Sequence, residues 1–264
     1  MWLDESVAFY KRDLFFTQPF VNTPGTLGFS PDQRSIPFLP HLGTFITNPI
    51  SRRPRQPASS RACLPFPGGF LLHTGLPNPG ISRVISRFKR AWAGSPVPVI
   101  IHLIVESPES VTEMVRKLEG LENIIAVELG LHPACTPESL EAILKAAFGE
   151  LPLILCISPE QIPVLLEPIK ALHPSAVHLM PLRGLLPNPE GVLIGGRLYG
   201  PATFPMMVSA AQTLVDAGVD TLAGGGVRSQ SQAEAFLAVG IKALSLGSVL
   251  WQVDLPTLSF DSAS

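Results

Sequence analysis

The chain has 264 residues, a length that suits one large α/β domain or two small ones. Hydrophobic residues make up 46% of it and charged residues only 15%, which is typical of a globular and rather apolar protein with a large core. The net charge of −2 gives no general reason to expect binding to nucleic acid or to an anionic membrane.

Cysteine spacing and the N-terminal sequence bear on metal binding and location. Cys63, Cys135 and Cys156 are too few and too far apart for a zinc site or an iron–sulfur cluster, so we predict reduced thiols and no bound metal. The N-terminal stretch MWLDESVAFYKRDLFF lacks the basic-then-apolar pattern of a secretory signal. No uninterrupted apolar run reaches the ~18 residues of a membrane span. These features predict a cytoplasmic protein with no membrane partner.

The first half of the chain alternates between strand-like and helix-like segments. Two strands are predicted by PFVNTPG (19–25) and HLGTFIT (41–47), and residues 52–70, rich in Pro, Arg and Ser, predict an insertion loop. Three further strand-like runs, PVIIHLIV, IIAVELGL and LPLILCIS, each precede a helical segment. Ser107 and Thr136 are predicted to cap two of these helices, because each precedes a proline at the first helical position.

The second half repeats the same pattern. Strands are predicted by AVHLMP, VDTLAGGG and IKALSLGS, and residues 182–197 predict a second insertion loop. Parallel neighbours need crossover helices, so about eight strands at this spacing predict a closed (β/α)8 TIM barrel that fills residues 1–264 as a single domain. Only QVDLPTLSFDSAS follows Trp251, and the final helix is therefore predicted to be short or missing.

Small residues follow the last two predicted strands. Gly224, Gly225 and Gly226 end one strand, and Gly247 and Ser248 end the next. In α/β barrels the loops after strands 7 and 8 often bind a phosphate, and glycine allows close approach of the backbone to that anion. Glycine-rich turns are also common without a ligand, but the pairing of two such ends favours a phosphate site.

Segments along nearly the whole chain resemble the dihydroorotate dehydrogenase family of FMN-linked barrels. These segments are NTPGTLGF, GTFITNPISRRPR, GGFLLHTGLPNPG, AVELGLHPACTP, LILCISP, GGRLYGPATFP and the glycine-rich ending. The resemblance implies that FMN is the cofactor and that the glycines above, with Ser248, hold its phosphate. It also implies that Gly200 belongs to the phosphate loop and that Thr23 and Gly25 lie close to the flavin.

The resemblance fails at the positions where the family carries its chemistry. The family's two lysines are replaced by Asn48 and Cys156, its substrate-binding asparagines by Leu72, Gly130, Cys135 and Pro181, and its catalytic base by Pro133. Oxidation of dihydroorotate needs a base for one proton and polar partners around the pyrimidine. These replacements offer neither, so the sequence predicts a small-molecule substrate other than dihydroorotate.

Other residues near these positions are candidates to take over. His132 and Cys135 flank the lost base and are the candidate catalytic residues, although His132 could instead cap the barrel rim and Cys135 could be a small buried thiol. His73 and Asn48 are candidate substrate contacts. His102 either reaches the flavin ring or is a satisfied core histidine.

Two functional hypotheses follow from this pattern. The first is an FMN-dependent oxidoreductase with a changed, more apolar substrate. The second is a catalytically inactive relative that binds FMN or another phosphate, or that serves as a scaffold for a partner. Tyr199, where the family has serine, either stacks on a ligand, donates to a phosphate or obstructs the site. A homodimer is compatible with both hypotheses.

Overall fold

A computed structural model of the chain describes residues 13–251. The strands are β1 Phe20–Asn22, β2 Phe45–Ile46, β3 Ala62–Phe66, β4 Gly69–His73, β5 Val99–Ile104, β6 Ile124–Gly130, β7 Leu153–Ile157, β8 Ala176–Leu179, β9 Arg183–Pro187, β10 Leu193–Tyr199, β11 Thr221–Ala223 and β12 Ala243–Leu246. The α-helices are α1 Ile81–Ala93, α2 Pro108–Arg116, α3 Pro137–Ala147, α4 Ile162–Leu172, α5 Phe204–Asp216 and α6 Gln230–Val239. Short 3₁₀ helices span Leu39–His41, Pro159–Gln161, Pro201–Thr203 and Ser248–Trp251.

Eight parallel strands form the barrel. They follow the order β1-β12-β11-β8-β7-β6-β5-β2. The sheet closes between its two edge strands, where Val21 forms a parallel bridge with Thr44 and the Gly43 amide donates to the Phe20 carbonyl at 2.7 Å. The predicted α/β barrel is therefore confirmed, and each of its strands lies in a segment that the sequence pattern had indicated.

The barrel interior begins with an apolar layer to which each strand contributes one residue. The layer consists of Val21, Ile46, Ile100, Ala126, Ile154, Ala176, Leu222 and Ala243. Leu14 packs against it. A second, larger core fills the space between the strands and the surrounding helices. Side chains two residues further along each strand return to the interior, so the residues just beyond this layer face the barrel mouth.

Local capping explains where two helices begin. The Ser107 hydroxyl accepts from the Ser110 amide at 3.3 Å, and the Thr136 hydroxyl accepts from the Ser139 amide at 3.3 Å. Both helices start with proline, whose missing N–H costs least there. The two predicted caps are confirmed.

The two predicted insertion loops need a correction, because both contain paired strands. Segments 52–70 and 182–197 contribute to an antiparallel sheet in the order β3-β4-β10-β9. Gly68, with φ +85°, lies between β3 and β4, in a conformation that favours glycine. Burial alternates along β3 and β9, as expected for strands with one covered face. The high Pro and Gly content of these two segments makes the alternation difficult to detect in the sequence.

The chain ends lie outside what the structure describes. The predicted short or missing final helix falls in residues 252–264, which are not among the described residues. Among residues 13–251, no helix combines the length and the apolar character that a membrane crossing requires.

Candidate functional site

A small pocket lies at the ends of β11 and β12, and we call it the glycine pocket. It has about 410 Å³ of empty space, part of it open to solvent. Most of the predicted cofactor-binding residues line it together: Thr23, Gly200, Gly224, Gly225, Gly226, Gly247 and Ser248. The structure thus gathers all the predicted cofactor residues except Gly25, which lines a neighbouring cavity.

Glycine occupies the positions around this pocket for different physical reasons. A Cβ on Gly224 would lie 1.8 Å from the Ser245 carbonyl oxygen, and one on Gly226 would lie 2.7 Å from the Phe204 amide. The fold itself requires glycine at these two positions. A Cβ on Gly247 would meet only the Thr23 side chain, with Oγ1 at 3.4 Å. Packing within the described chain therefore does not require glycine at 247, whereas close approach of a ligand would.

Two larger cavities lie between the barrel mouth and the antiparallel sheet. The mouth cavity has about 1350 Å³ of empty space, including open solvent, and the side cavity about 730 Å³. Leu72, His102 and Arg197 line both of them. Tyr199 lines both cavities and the glycine pocket as well. The three spaces therefore meet at the Tyr199 side chain.

Tyr199 is held by other aromatic rings. Its ring stacks on Phe70 with centroids 5.4 Å apart and an interplanar angle of 15°, and it lies 5.7 Å from the ring of Trp251. Trp251 in turn donates from its indole N–H to the Thr26 carbonyl at 2.9 Å. Burial raises the pKa of Tyr199, so the phenol stays neutral and can donate a hydrogen bond.

A chain of five polar side chains crosses the barrel beneath these cavities. His102 Nδ1 lies 2.6 Å from Glu128 Oε2, and the other carboxylate oxygen pairs with His178 Nδ1. His178 Nε2 lies 2.7 Å from the Ser245 hydroxyl, which lies 2.8 Å from the Thr23 hydroxyl. We call this set the barrel relay. It joins the mouth and side cavities, at His102, to the glycine pocket, at Thr23.

Glu128 is ionised within the barrel relay. Burial by itself would raise the pKa of this carboxyl, but the facing His178 and His102 rings lower it from 4.5 to about 2. An ionised carboxylate only accepts hydrogen bonds, so both imidazoles donate from Nδ1. In its neutral form His102 then has Nε2 free of a proton, and this atom can accept one from a molecule in the cavity.

The position of His102 depends on a glycine. A Cβ on Gly130 would lie 2.6 Å from His102 Nε2. A larger residue at 130 would therefore displace the imidazole or the strand. His102, 3% exposed, is bonded to Glu128 and at the same time lines two cavities. The alternative of a satisfied core histidine is therefore confirmed, and contact of His102 with a flavin ring stays a prediction.

Cys156 lies beside this network. One ligand atom each from His102, Glu128 and Cys156 falls within 4.8 Å of the others. Burial raises the pKa of the Cys156 thiol well above its usual value, and the Glu128 carboxylate raises it further. A protonated thiol is a poor metal ligand, and both oxygens of Glu128 already accept from imidazoles. Glu128 and its two histidine partners therefore form a hydrogen-bonded cluster rather than a metal site.

The remaining predicted site residues occupy different environments. His132 is exposed and lines the mouth cavity, where its Nδ1 accepts from the Ala134 amide at 3.2 Å. His73 lines the same cavity. Asn48 lines the side cavity and accepts from the Gly28 amide at 3.0 Å. Cys135 lies outside these linings, and burial raises the pKa of its thiol, which disfavours the thiolate needed for catalysis.

Comparison with known proteins gives a consistent result. No family model matches the chain. The chain is 26% identical over 258 residues to the dihydroorotate dehydrogenase B (NAD(+)) catalytic subunit of Pelobacter propionicus, covering 87% of this chain and 83% of that protein. The corresponding subunit of Maridesulfovibrio salexigens is 26% identical over 274 residues, covering 93% and 87%. The crystal structure of an Eimeria tenella dihydroorotate dehydrogenase with ferulenol has the same fold, with a TM-score of 0.73 at 12% identity, covering 88% of this chain and 76% of that one.

The chain is thus a divergent relative of dihydroorotate dehydrogenases, similar to them along most of its length. Its departures from the residues that the resemblance implies for dihydroorotate dehydrogenases converge on the cavities described above. Leu72, Gly130 and Pro133 line the mouth cavity, Asn48 lines the side cavity and Pro181 lines the glycine pocket. Five of the seven altered positions therefore surround connected spaces, whereas Cys135 and Cys156 are not among the lining residues.

Proposed function

We propose that the protein is an FMN-binding oxidoreductase of the dihydroorotate dehydrogenase family that acts on a small molecule other than dihydroorotate. The observation that carries the proposal is Gly247. Packing within the described chain does not require glycine at this position, and its missing Cβ leaves room in the glycine pocket. The names of the sequence relatives support the reaction class.

The residues present fit a flavin mononucleotide. Gly224 to Gly226, Gly247 and Ser248 would hold its phosphate, since backbone N–H groups at such strand ends suit an anion. FMN, when bound, supplies the hydride acceptor. The larger cavities next to the pocket offer room for a ring system and a substrate, with apolar walls from residues such as Leu72 and Leu131.

The mouth cavity is poorly suited to dihydroorotate. Pro133 has no side-chain base and no backbone N–H donor, and Leu72 offers no polar atom. A polar pyrimidine there would leave groups without partners, at a cost of roughly 1–3 kcal/mol each. In this proposal, the part of the substrate that occupies the mouth cavity is therefore less polar than dihydroorotate.

In this proposal His102 is the residue that accepts a proton from the substrate. Its Nε2 is the atom that can take a proton at the cavity, and Glu128 orients the ring and stabilises the imidazolium that forms. His132, at the rim of the same cavity, stays a second candidate. For Cys135 the burial-raised pKa argues against this role.

The first test is the visible absorption spectrum of the purified full chain. We expect flavin bands at equimolar content, with the protein as isolated or after addition of FMN, and no bleaching when dihydroorotate is added without air. Bleaching would contradict the role given to Pro133 and Leu72. Lack of flavin bands even with excess FMN would overturn the cofactor assignment and favour a barrel without FMN. The predicted homodimer stays a prediction.

Gly247→Val tests the glycine pocket without disturbing the fold. The added side chain enters the space next to Thr23, so we expect FMN binding to weaken at least about tenfold while the thermal midpoint changes little. Gly195→Val on β10 is the matched control, because a Cβ there also meets one neighbour, the Leu185 side chain, at 3.4 Å. Equal FMN affinities of the two variants would remove the support that Gly247 gives to the proposal.

A further inference from the structure

The antiparallel sheet over the barrel carries an unusual pair of like charges. Arg183 on β9 and Arg197 on β10 are directly opposite each other in the ladder, and both line the mouth cavity. Directly opposite residues share one face, with Cβ atoms about 4.5–5.5 Å apart, and like charges at such positions are destabilising. The pair therefore costs stability unless something compensates for its charge.

The described residues offer the pair little compensation. Among residues 13–251, no carboxylate forms a salt bridge with either guanidinium, whereas Arg55 on another wall of the cavity pairs with Glu106 at 3.5 Å. Arg197 donates from Nη1 to the Pro181 carbonyl at 3.4 Å, a neutral acceptor. Glu160 acts electrostatically on Arg183, but its carboxylate accepts from the Arg183 backbone amide, at 2.9 Å, rather than from the guanidinium.

The charge of Arg197 affects the ionisation of Arg183. Partial burial lowers the pKa of Arg183, the charge of Arg197 lowers it further, and Glu160 only partly opposes this. A guanidinium group keeps its positive charge at neutral pH in proteins. Two positive charges, only partly compensated by Glu160, thus line the same cavity.

Guanidinium groups bind carboxylates and phosphates through paired, charge-assisted hydrogen bonds. Two neighbouring guanidinium groups match two negative charges better than one, and a phosphate monoester carries about −1.5 to −2 near neutral pH with three acceptor oxygens. The opposite wall of the cavity contains apolar residues such as Ile104 and Leu131 together with His102. This combination suits a ligand with an apolar body and a dianionic end.

We propose that Arg183 and Arg197 form a binding site for the phosphate monoester group of a small organic ligand whose body occupies the mouth cavity. This site is separate from the glycine pocket, whose lining does not include either arginine. The inference deepens the proposed function by naming the substrate class, and it rests on that function for the identification of the ligand as a substrate.

The test uses phenyl phosphate as a probe, with benzoate and benzyl alcohol as singly charged and neutral counterparts. Binding to the full chain is measured by titration calorimetry, with the flavin content recorded by absorption. We expect the order phenyl phosphate, benzoate, benzyl alcohol in decreasing affinity. Arg183→Gln and Arg197→Gln should each weaken phenyl phosphate about ten- to a hundredfold, and the double variant should weaken it further.

Two variants serve as controls. Arg83→Gln removes an exposed arginine on α1 away from the cavity and should leave binding unchanged. Gly247→Val should also leave phenyl phosphate binding unchanged when it is compared with the parent at equal flavin content, because neither arginine lines the glycine pocket. Loss of binding in Gly247→Val, or equal binding in the arginine variants and the parent, would overturn the proposal. So would failure of the parent chain to bind the probe.

Thermal unfolding distinguishes a binding role from a structural one. Removal of one of two facing like charges should leave the midpoint of Arg183→Gln equal to or above that of the parent. A lower midpoint in both single variants with unchanged probe affinity would assign the arginines to the fold and contradict the inference. Arginine-dependent binding in a chain that takes up no FMN would retain this site but refute the proposed oxidoreductase function. An FMN-loaded chain that does not bind phenyl phosphate would retain the proposed oxidoreductase function but refute this site.

Discussion

Glu128→Leu is expected to lower the free energy of unfolding by about 3–5 kcal/mol, because the substitution removes one partner from a buried, charged network. Glu128 is fully buried and accepts from both His102 and His178. Without the carboxylate, two imidazole N–H groups in the barrel interior lose their acceptor, and desolvated donors without partners are costly. Leucine fills a similar volume, so the change reports on polarity more than on packing.

The same substitution should alter how stability depends on pH. The pKa of Glu128 is about 2 in the folded protein and near 4.5 when unperturbed. Because the folded value is the lower one, the contribution of this carboxylate is fully present above pH 4.5 and is lost as the pH falls toward 2. A shift of this size corresponds to roughly 3 kcal/mol. The parent chain should therefore lose this stability between those pH values, and Glu128→Leu should lack that loss.

Denaturant unfolding at neutral pH and across the acid range measures both effects. Glu141→Leu is the control, since Glu141 is half-exposed on α3 and, within residues 13–251, pairs with Lys145 alone, so a much smaller change is expected. If Glu128→Leu were no more destabilising than Glu141→Leu, the barrel relay would contribute little to the fold. An acid dependence identical to that of the parent would show that other carboxyl groups produce it.

Much of the barrel could be predicted because its signals are local. Apolar runs such as PVIIHLIV, the caps at Ser107 and Thr136, and the glycines after β11 each indicate one element from a few neighbouring residues. The antiparallel sheet was missed because its segments contain Pro and Gly at positions where edge strands tolerate them. Pairing of β4 with β10 joins residues more than a hundred positions apart, and no local pattern indicates such a contact.

The barrel relay could have been found from strand periodicity. Each apolar interior residue is followed two positions later by an interior residue near the mouth. That second layer consists of Thr23, Asn48, His102, Glu128, Cys156, His178, Gly224 and Ser245. Considered one by one, these residues give ambiguous signals, and Glu128, His178 and Ser245 give none that marks them as site residues. Counted as one layer, the polar members indicate a hydrogen-bonded network. The Arg183 and Arg197 pair could not be seen this way, since the register of β9 with β10 defines it.

Gly224→Ala is expected to have the largest effect among single glycine substitutions in the glycine pocket. The new Cβ would lie 1.8 Å from the Ser245 carbonyl oxygen and 3.2 Å from the Ser245 amide nitrogen. These are backbone atoms of β12, so relief requires separation of β11 from β12 rather than rotation of a side chain. We expect a loss of stability at or above the upper end of the roughly 1–3 kcal/mol typical of overpacking.

This substitution should also disturb the end of the barrel relay at the glycine pocket, because Ser245 bonds His178 and Thr23 through its hydroxyl. Thermal unfolding and FMN titration of Gly224→Ala should therefore both change, whereas Gly247→Val should change FMN binding alone. Gly94→Ala at the end of α1 is the control, since its Cβ would meet only the Arg90 carbonyl at 3.4 Å, with φ −90°. If Gly224→Ala unfolds at the same temperature as Gly94→Ala, β11 and β12 can separate without cost. In that case the glycine at 224 would be explained by a ligand, as at 247, rather than by strand packing.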